Sequence, residues 1–139
     1  MESKKVTVQV IVNSIVENVW KCWTTENDIL KWNHASDDWH TTKVVNDLKI
    51  GGEFSYRMEA RDGSFGFDFG GRYDAVVEQK LLGYILGDGR KVIIEFKTNN
   101  QVTTVIQTFD AENENPIEMQ QAGWQSIMNN FKKYVESLS

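Results

Sequence analysis

Hydrophobic and polar residues alternate along most of the chain between residues 5 and 109. The pattern is clear at Lys5–Val12, where every second residue is valine. Side chains of a β-strand point alternately to its two faces, so this pattern predicts strands with one buried face. Strands are predicted at residues 5–12, 41–45, 53–60, 65–77, 81–86, 91–97 and 102–109. Turn residues such as Asp62-Gly63 separate them, and Gly70-Gly71 is predicted to form a bulge or a sharp coil within the fourth strand.

Three other segments repeat their apolar residues at helical spacing. The first follows a predicted capping box at Ser14–Glu17, and the second follows a similar start at Thr25. The third is predicted at residues 117–138, with Asn115 as its N-cap and Pro116 in its first position. The chain therefore contains two short helices after its first strand and one long helix at its end.

This order of elements predicts a single α+β domain over residues 1–139. An antiparallel sheet with one apolar face has to cover that face, and the last helix is the only element large enough to do so. We expect a curved antiparallel sheet of about seven strands wrapped round the C-terminal helix. Such an arrangement leaves space between sheet and helix.

Several short motifs in this order resemble a known superfamily. They are Val19-Trp20, Leu30-Lys31-Trp32, the segment 48–54, Asp62-Gly63, Gly71-Arg72-Tyr73 and the segment 121–127. Together they resemble the START-like superfamily, which has the helix-grip fold, and within it the family of activator of Hsp90 ATPase homologue 1-like proteins. The resemblance implies that fold over essentially the whole chain.

The resemblance also implies two kinds of function, because members of the superfamily bind lipids, hormones or polyketides, and one stimulates the Hsp90 ATPase. Our main hypothesis is non-catalytic binding of a small apolar or amphipathic molecule between the sheet and the C-terminal helix. The alternative is a co-chaperone-like module with a chaperone as its partner. A second alternative is a cyclase or hydrolase, with His34 or His40 as general base and Tyr56 or Asp68 as its partner.

Aromatic residues are abundant, with five Trp, seven Phe and four Tyr in 139 residues. They could form a solid core or line a cavity, and small-molecule sites are usually apolar cavities with a few polar groups. The predicted cavity residues come from the loop, the apolar strand faces and the long helix. They are Trp32, Trp39, Phe54, Tyr56, Met58, Phe67, Phe69, Tyr84, Trp124 and Met128.

Charge and composition narrow the choice of partners. The net charge is −5 and no basic stripe is present, so neither nucleic acid nor an anionic membrane surface is expected as a partner. No apolar run approaches the ~20 residues of a membrane span, and no signal peptide is recognised. The lone Cys22 is expected to be buried and reduced. We predict a cytoplasmic protein that is a monomer or a weak homodimer.

The remaining chemical candidates lie in a polar segment, residues 34–40, which is predicted to be a loop. It holds His34, Asp37, Asp38 and His40. Three interpretations remain: solvated loop residues, metal ligands, or polar groups at the cavity rim, the last applying to His34 and His40. The spacing is a poor match for a zinc site. The sequence lacks the common nucleotide-binding and hydrolase motifs, so no cofactor and no catalytic residue are assigned.

Overall fold

The computed structural model describes residues 4–138, which form a sheet and three helices. The elements are β1 Lys5–Val12, α1 Val16–Thr24, α2 Glu26–Trp32, β2 Trp39–Asn46, β3 Glu53–Ala60, β4 Gly66–Val77, β5 Leu81–Leu86, β6 Lys91–Asn99, β7 Val102–Asp110 and α3 Ile117–Ser137. This confirms the predicted α+β order. The loop predicted at residues 34–40 is shorter than expected, because Trp39 and His40 already belong to β2.

All seven strands form one antiparallel sheet in the order β1-β7-β6-β5-β4-β3-β2. β1 forms one edge of this sheet and pairs with the last strand, β7, with Lys5 opposite Asp110. The register shifts between Thr41 and Lys43 and again between Tyr73 and Ala75. Such bulges increase the bend and twist of a strand. The sheet curls, and its concave face carries the buried alternate residues.

The bulge predicted at Gly70-Gly71 was wrong, since β4 pairs without interruption through both residues. A Cβ atom on Gly71 would lie 2.5 Å from the carbonyl oxygen of Ile85, and one on Gly70 would lie 2.5 Å from that of Phe54. The two glycines therefore allow the flanking strands to approach closely. The bend in β4 comes after them, at Tyr73.

Two predicted helix caps, Ser14 and Asn115, were placed one residue too early, whereas the start predicted at Thr25 coincides with the N-cap of α2. Ile15 and Pro116 occupy the N-cap positions of α1 and α3, and neither these helices nor α2 has a side-chain cap hydrogen bond. The carbonyl of Ser14 instead accepts a hydrogen bond of 2.9 Å from the Thr103 hydroxyl. The backbone of Ser14 is thus hydrogen-bonded to a residue of β7.

Aromatic packing joins the three helices at one end of the fold. The rings of Trp23 (α1), Trp32 (α2) and Phe131 (α3) lie with all three centroid distances at 4.8 Å. We call these residues the aromatic cluster. The indole nitrogen of Trp32 also donates to the Cys22 carbonyl over 2.9 Å. The C-terminal half of α3 is therefore fixed against α1 and α2.

The backbone of α3 comes close to β1, α1 and α2. Its N-terminal half crosses the concave face at a distance that is bridged by side chains, including the stacked rings of Trp124 and Phe109. Space between sheet and helix follows from this geometry. Within residues 4–138, no helix is both long and apolar enough to cross a membrane.

Two glycine substitutions test this account of the sheet. We expect Gly71→Ala to lower the free energy of unfolding by about 1–3 kcal/mol, because the added methyl group meets backbone atoms that cannot move aside. The matched control is Gly123→Ala in α3, where nothing lies within 4 Å of the new Cβ. It should raise the free energy of unfolding by about 0.5–1 kcal/mol, since alanine favours the helix. Urea denaturation measures both, and a neutral Gly71→Ala would contradict the close strand approach.

Candidate functional site: a cavity between the sheet and the long helix

A cavity of about 300 Å³ lies between the concave face of the sheet and α3. Alternate strand residues form its floor, and residues one turn apart on α3 form its roof, as the periods of strand and helix require. The floor consists of Tyr56, Met58, Phe67, Phe69, Tyr84 and Gln107, and the roof of Gln120, Trp124 and Ile127. The remaining wall residues are Trp23, Trp32, Asn33, Arg90, Glu112 and Asn115.

Ring contacts hold the aromatic walls in place. Trp124 stacks on Phe109 with centroids 3.9 Å apart and an interplanar angle of 11°. Its other neighbour is Phe69, which meets it edge-on at 6.0 Å. On the floor, Tyr84 packs against Phe54 at 4.6 Å. Because each ring is supported from the side, the walls are stable without a side chain in the middle of the cavity.

The polar groups of the floor are uncharged. Tyr56, Tyr84 and Gln107 are each less than a tenth exposed. Burial raises the pKa of both tyrosines above the usual value of a phenol, so both stay protonated at neutral pH. The Tyr56 hydroxyl lies beside that of Tyr73, which donates to the Asn46 side-chain oxygen over 2.6 Å.

Only two charged residues line the cavity, one of each sign. Arg90 donates from Nε to the Asp88 carboxylate over 2.8 Å. The carboxylate of Glu112 accepts the Asn115 backbone N–H at 2.7 Å. Arg90 therefore has an opposite charge beside it, whereas the Glu112 carboxylate is bonded to an uncharged backbone N–H.

Gln120 shapes the same end of the cavity. Its side-chain amide donates to the carbonyls of Asn115 at 2.8 Å and Glu112 at 3.1 Å, and accepts the Glu112 N–H at 2.9 Å. The Gln120 side chain thus holds the loop before α3 in place, where the sequence had predicted an N-cap at Asn115.

Seven of the ten residues predicted for the cavity lie on its wall: Trp32, Tyr56, Met58, Phe67, Phe69, Tyr84 and Trp124. Three do not. Phe54 is covered by neighbouring rings, and Met128 is fully buried on the core side of α3. Trp39 lies outside, near the end of the β3–β4 hairpin, where it contacts Phe65 and Phe67.

The two histidines are not on the cavity wall. His34 is partly buried, and its Nδ1 atom has no hydrogen-bond partner within residues 4–138, whereas a solvated loop side chain would face water. Burial and then the charge of Arg61 lower the pKa of His34. His40 is partly buried in β2.

The partners proposed for an acid–base pair lie elsewhere. Asp68 points to the convex face, where its carboxylate pairs with Arg57 at 3.7 Å. Tyr56 lies on the floor of the cavity, with its hydroxyl beside that of Tyr73. In the part of the chain that the structure describes, neither histidine therefore bonds to Tyr56 or Asp68. That same part holds no group of three His, Cys, Asp or Glu side chains that could bind a metal ion.

Most polar wall residues were missed from the sequence: Asn33, Arg90, Gln107, Glu112, Asn115 and Gln120. One of them carries a readable signal. Gln107 shares the inward parity of Val105 and Phe109 on β7, and a polar residue among buried neighbours marks an unusual environment. The loop residues show no such periodicity.

The comparisons with known proteins agree with this geometry. The family described as activator of Hsp90 ATPase homolog 1-like protein matches residues 13–136. The chain belongs to this family. No curated protein matches the chain.

Solved structures of relatives extend the match. An AHSA1-like protein from Aeromonas hydrophila is 42% identical, with a TM-score of 0.91, covering 97% of this chain and 94% of its own. A protein from Cytophaga hutchinsonii is 48% identical, with a TM-score of 0.83 and coverage of 96% and 93%. A protein from Nitrosomonas europaea, 18% identical, has a TM-score of 0.84 and covers 97% of this chain and 96% of its own, which shows the shared fold. The helix-grip fold predicted from the sequence is therefore confirmed.

Cys22 offers a test of the helical end of the site. Burial, followed by the nearby charge of Asp28, raises the pKa of the Cys22 thiol to about 11 from 9.0. A shift of that size lowers the thiolate fraction at pH 8 by about 100-fold. We expect iodoacetamide to label the folded protein at least about 100-fold more slowly than the urea-unfolded chain, as followed by mass spectrometry.

The matched control places a thiol at the exposed Ser64, by combining Ser64→Cys with Cys22→Ala. This thiol should react at nearly the same rate in the folded and unfolded protein. Equal labelling rates for Cys22 in the two states would contradict its burial between α1 and α2.

Proposed function

We propose that the protein binds a small apolar or amphipathic molecule in the cavity between the sheet and α3, without transforming it chemically. The observation that carries this proposal is the cavity of about 300 Å³ whose walls are mainly aromatic and aliphatic. Small-molecule sites typically have volumes of roughly 300–1,000 Å³, apolar walls and a few placed polar groups. The cavity matches this description at the lower end of the size range.

The composition of the walls supports binding over catalysis. Burial of an apolar ligand against Trp124, Phe69 and Tyr84 would remove apolar area from water, which is worth roughly 25 cal/mol per Å². A general acid or base would need a titratable group within about 2.6–3.2 Å of the proton it moves. The groups at the floor are two protonated tyrosines and an amide.

Family membership favours a second candidate, a co-chaperone-like role, because the matching family is named for activation of the Hsp90 ATPase. Such a role would use an outer surface and would not need the cavity. If the wild type and a variant with a filled cavity stimulate a chaperone ATPase equally, that result favours this candidate.

Filling the cavity tests the proposal. Ile127 lines the roof, and Ile127→Trp places a larger side chain in the space that the ligand would occupy. We expect the wild type to bind N-phenylnaphthylamine, a neutral dye that fluoresces in apolar sites. The substitution should weaken this binding at least tenfold, a loss of about 1.4 kcal/mol. Fluorescence titration gives both dissociation constants.

The matched control is Ile93→Trp, the same change on the convex face, where Ile93 is 37% exposed. It should leave the dye affinity within about twofold of the wild type. Circular dichroism and thermal unfolding establish that both variants are folded. Unchanged dye binding by a folded Ile127→Trp variant would show that the cavity is not the binding site.

A further inference from the structure

We infer that the ligand's buried end is uncharged and carries a hydrogen-bond acceptor, such as a carbonyl oxygen, that binds between Tyr84 and Gln107. This inference rests on the proposed function, since it names the chemical class that the same cavity would hold. It excludes carboxylates, phosphates and amines from the floor of the cavity.

The first support is the unused hydrogen-bonding capacity at the floor. The Tyr84 hydroxyl and the Gln107 side-chain amide are neighbours on the floor of the cavity, and within residues 4–138 neither hydrogen-bonds to a third residue. A hydroxyl has one donor and two acceptor sites, and a primary amide has two donors and a carbonyl oxygen. Buried polar groups are almost always hydrogen-bonded, so both residues still have sites for a ligand.

The number of donor hydrogens indicates what the ligand should offer. The Tyr84 hydroxyl has one donor hydrogen and the Gln107 amide has two. A hydrogen bond between the two side chains, in either direction, would use one of these three hydrogens. Two then remain, and a ligand carbonyl has two lone pairs that can accept from both.

Tyr56, although next to this pair on the floor, is already committed. Its hydroxyl lies beside that of Tyr73. Because the Tyr73 proton goes to Asn46 over 2.6 Å, the Tyr73 oxygen is positioned to accept the Tyr56 proton. Tyr73 itself does not line the cavity. The free donor on the floor is therefore specific to Tyr84 and Gln107.

Electrostatics argues against a charged ligand end. Moving an ion from water into an apolar site costs several kcal/mol unless an opposite charge meets it there. The charged residues that line the cavity are Arg90 and Glu112, and Arg90 is paired with Asp88 at 2.8 Å. Within residues 4–138, neither of these charges belongs to the floor, so no residue there can neutralise a buried ligand charge of either sign.

Three probes that share a naphthalene ring, and so bury nearly the same apolar area, test this inference. They are methyl naphthyl ketone, naphthoate and ethylnaphthalene, and isothermal titration calorimetry at pH 7 compares their affinities. We expect the ketone to bind at least tenfold more tightly than naphthoate, and a few-fold more tightly than ethylnaphthalene, because a net hydrogen bond contributes about 0.5–1.5 kcal/mol.

Variants locate the effect. Tyr84→Phe should weaken ketone binding a few-fold, which removes the preference for the ketone, and should leave ethylnaphthalene within about twofold. Tyr134→Phe is the matched control: it removes a hydroxyl of α3 that does not line the cavity and that donates to Asp28, and it should keep the preference for the ketone. Gln107→Met is a second variant with the same expected loss of preference, should Tyr84→Phe fail to fold.

The outcomes separate this inference from the proposed function. If ethylnaphthalene binds but naphthoate equals the ketone, or if Tyr84→Phe weakens ketone and hydrocarbon alike, the inference is wrong and the cavity remains a binding site. If none of the three probes binds the folded wild type, both the inference and the proposed function are wrong. A ketone preference that both Tyr84→Phe and Gln107→Met abolish would support the inference.

Discussion

The aromatic cluster of Trp23, Trp32 and Phe131 is the constraint on which the rest of the structure depends. It joins α1, α2 and α3 through ring contacts of 4.8 Å. A polar bond adds to it, since the Tyr134 hydroxyl donates to Asp28, which also pairs with Lys21 at 3.2 Å. The C-terminal half of α3 is thereby held over one end of the sheet. Its N-terminal half lies beside β1, where Gln125 donates to the Gln9 carbonyl over 3.0 Å, and the cavity is the space between this half and the strands further along the sheet.

The curl of the sheet and the position of α3 together determine what the cavity can hold. Bulges bend β2 and β4, and the close strand approach at Gly70 and Gly71 keeps the sheet continuous between them. Alternation along the strands then directs rings and uncharged polar groups inward and ion pairs such as Arg57–Asp68 outward. Charge is largely excluded from the interior by this alternation, and this supports the proposal of a neutral ligand over acid–base chemistry.

The sequence predicted the elements and their order because period-2 and helical patterns depend on burial, and burial follows the fold directly. It also predicted aromatic wall residues such as Tyr84 and Trp124. Individual hydrogen bonds were harder to predict from the sequence. Ser14 and Asn115 fit a capping pattern, but their carbonyls instead accept hydrogen bonds from Thr103 and Gln120. Polar wall groups on loops, such as Arg90, have no periodicity, so only the folded chain brings them to the cavity.

The most direct test of the central claim, an open cavity beneath α3, is an NMR measurement of intermolecular NOEs with bound N-phenylnaphthylamine. We expect cross-peaks from the dye to the Ile127 methyl groups and the Trp124 ring on the roof of the cavity, and to the Met58 methyl group on its floor. Cross-peaks confined to residues of the convex face, such as Ile93, with none to Ile127 or Met58, would contradict the claim.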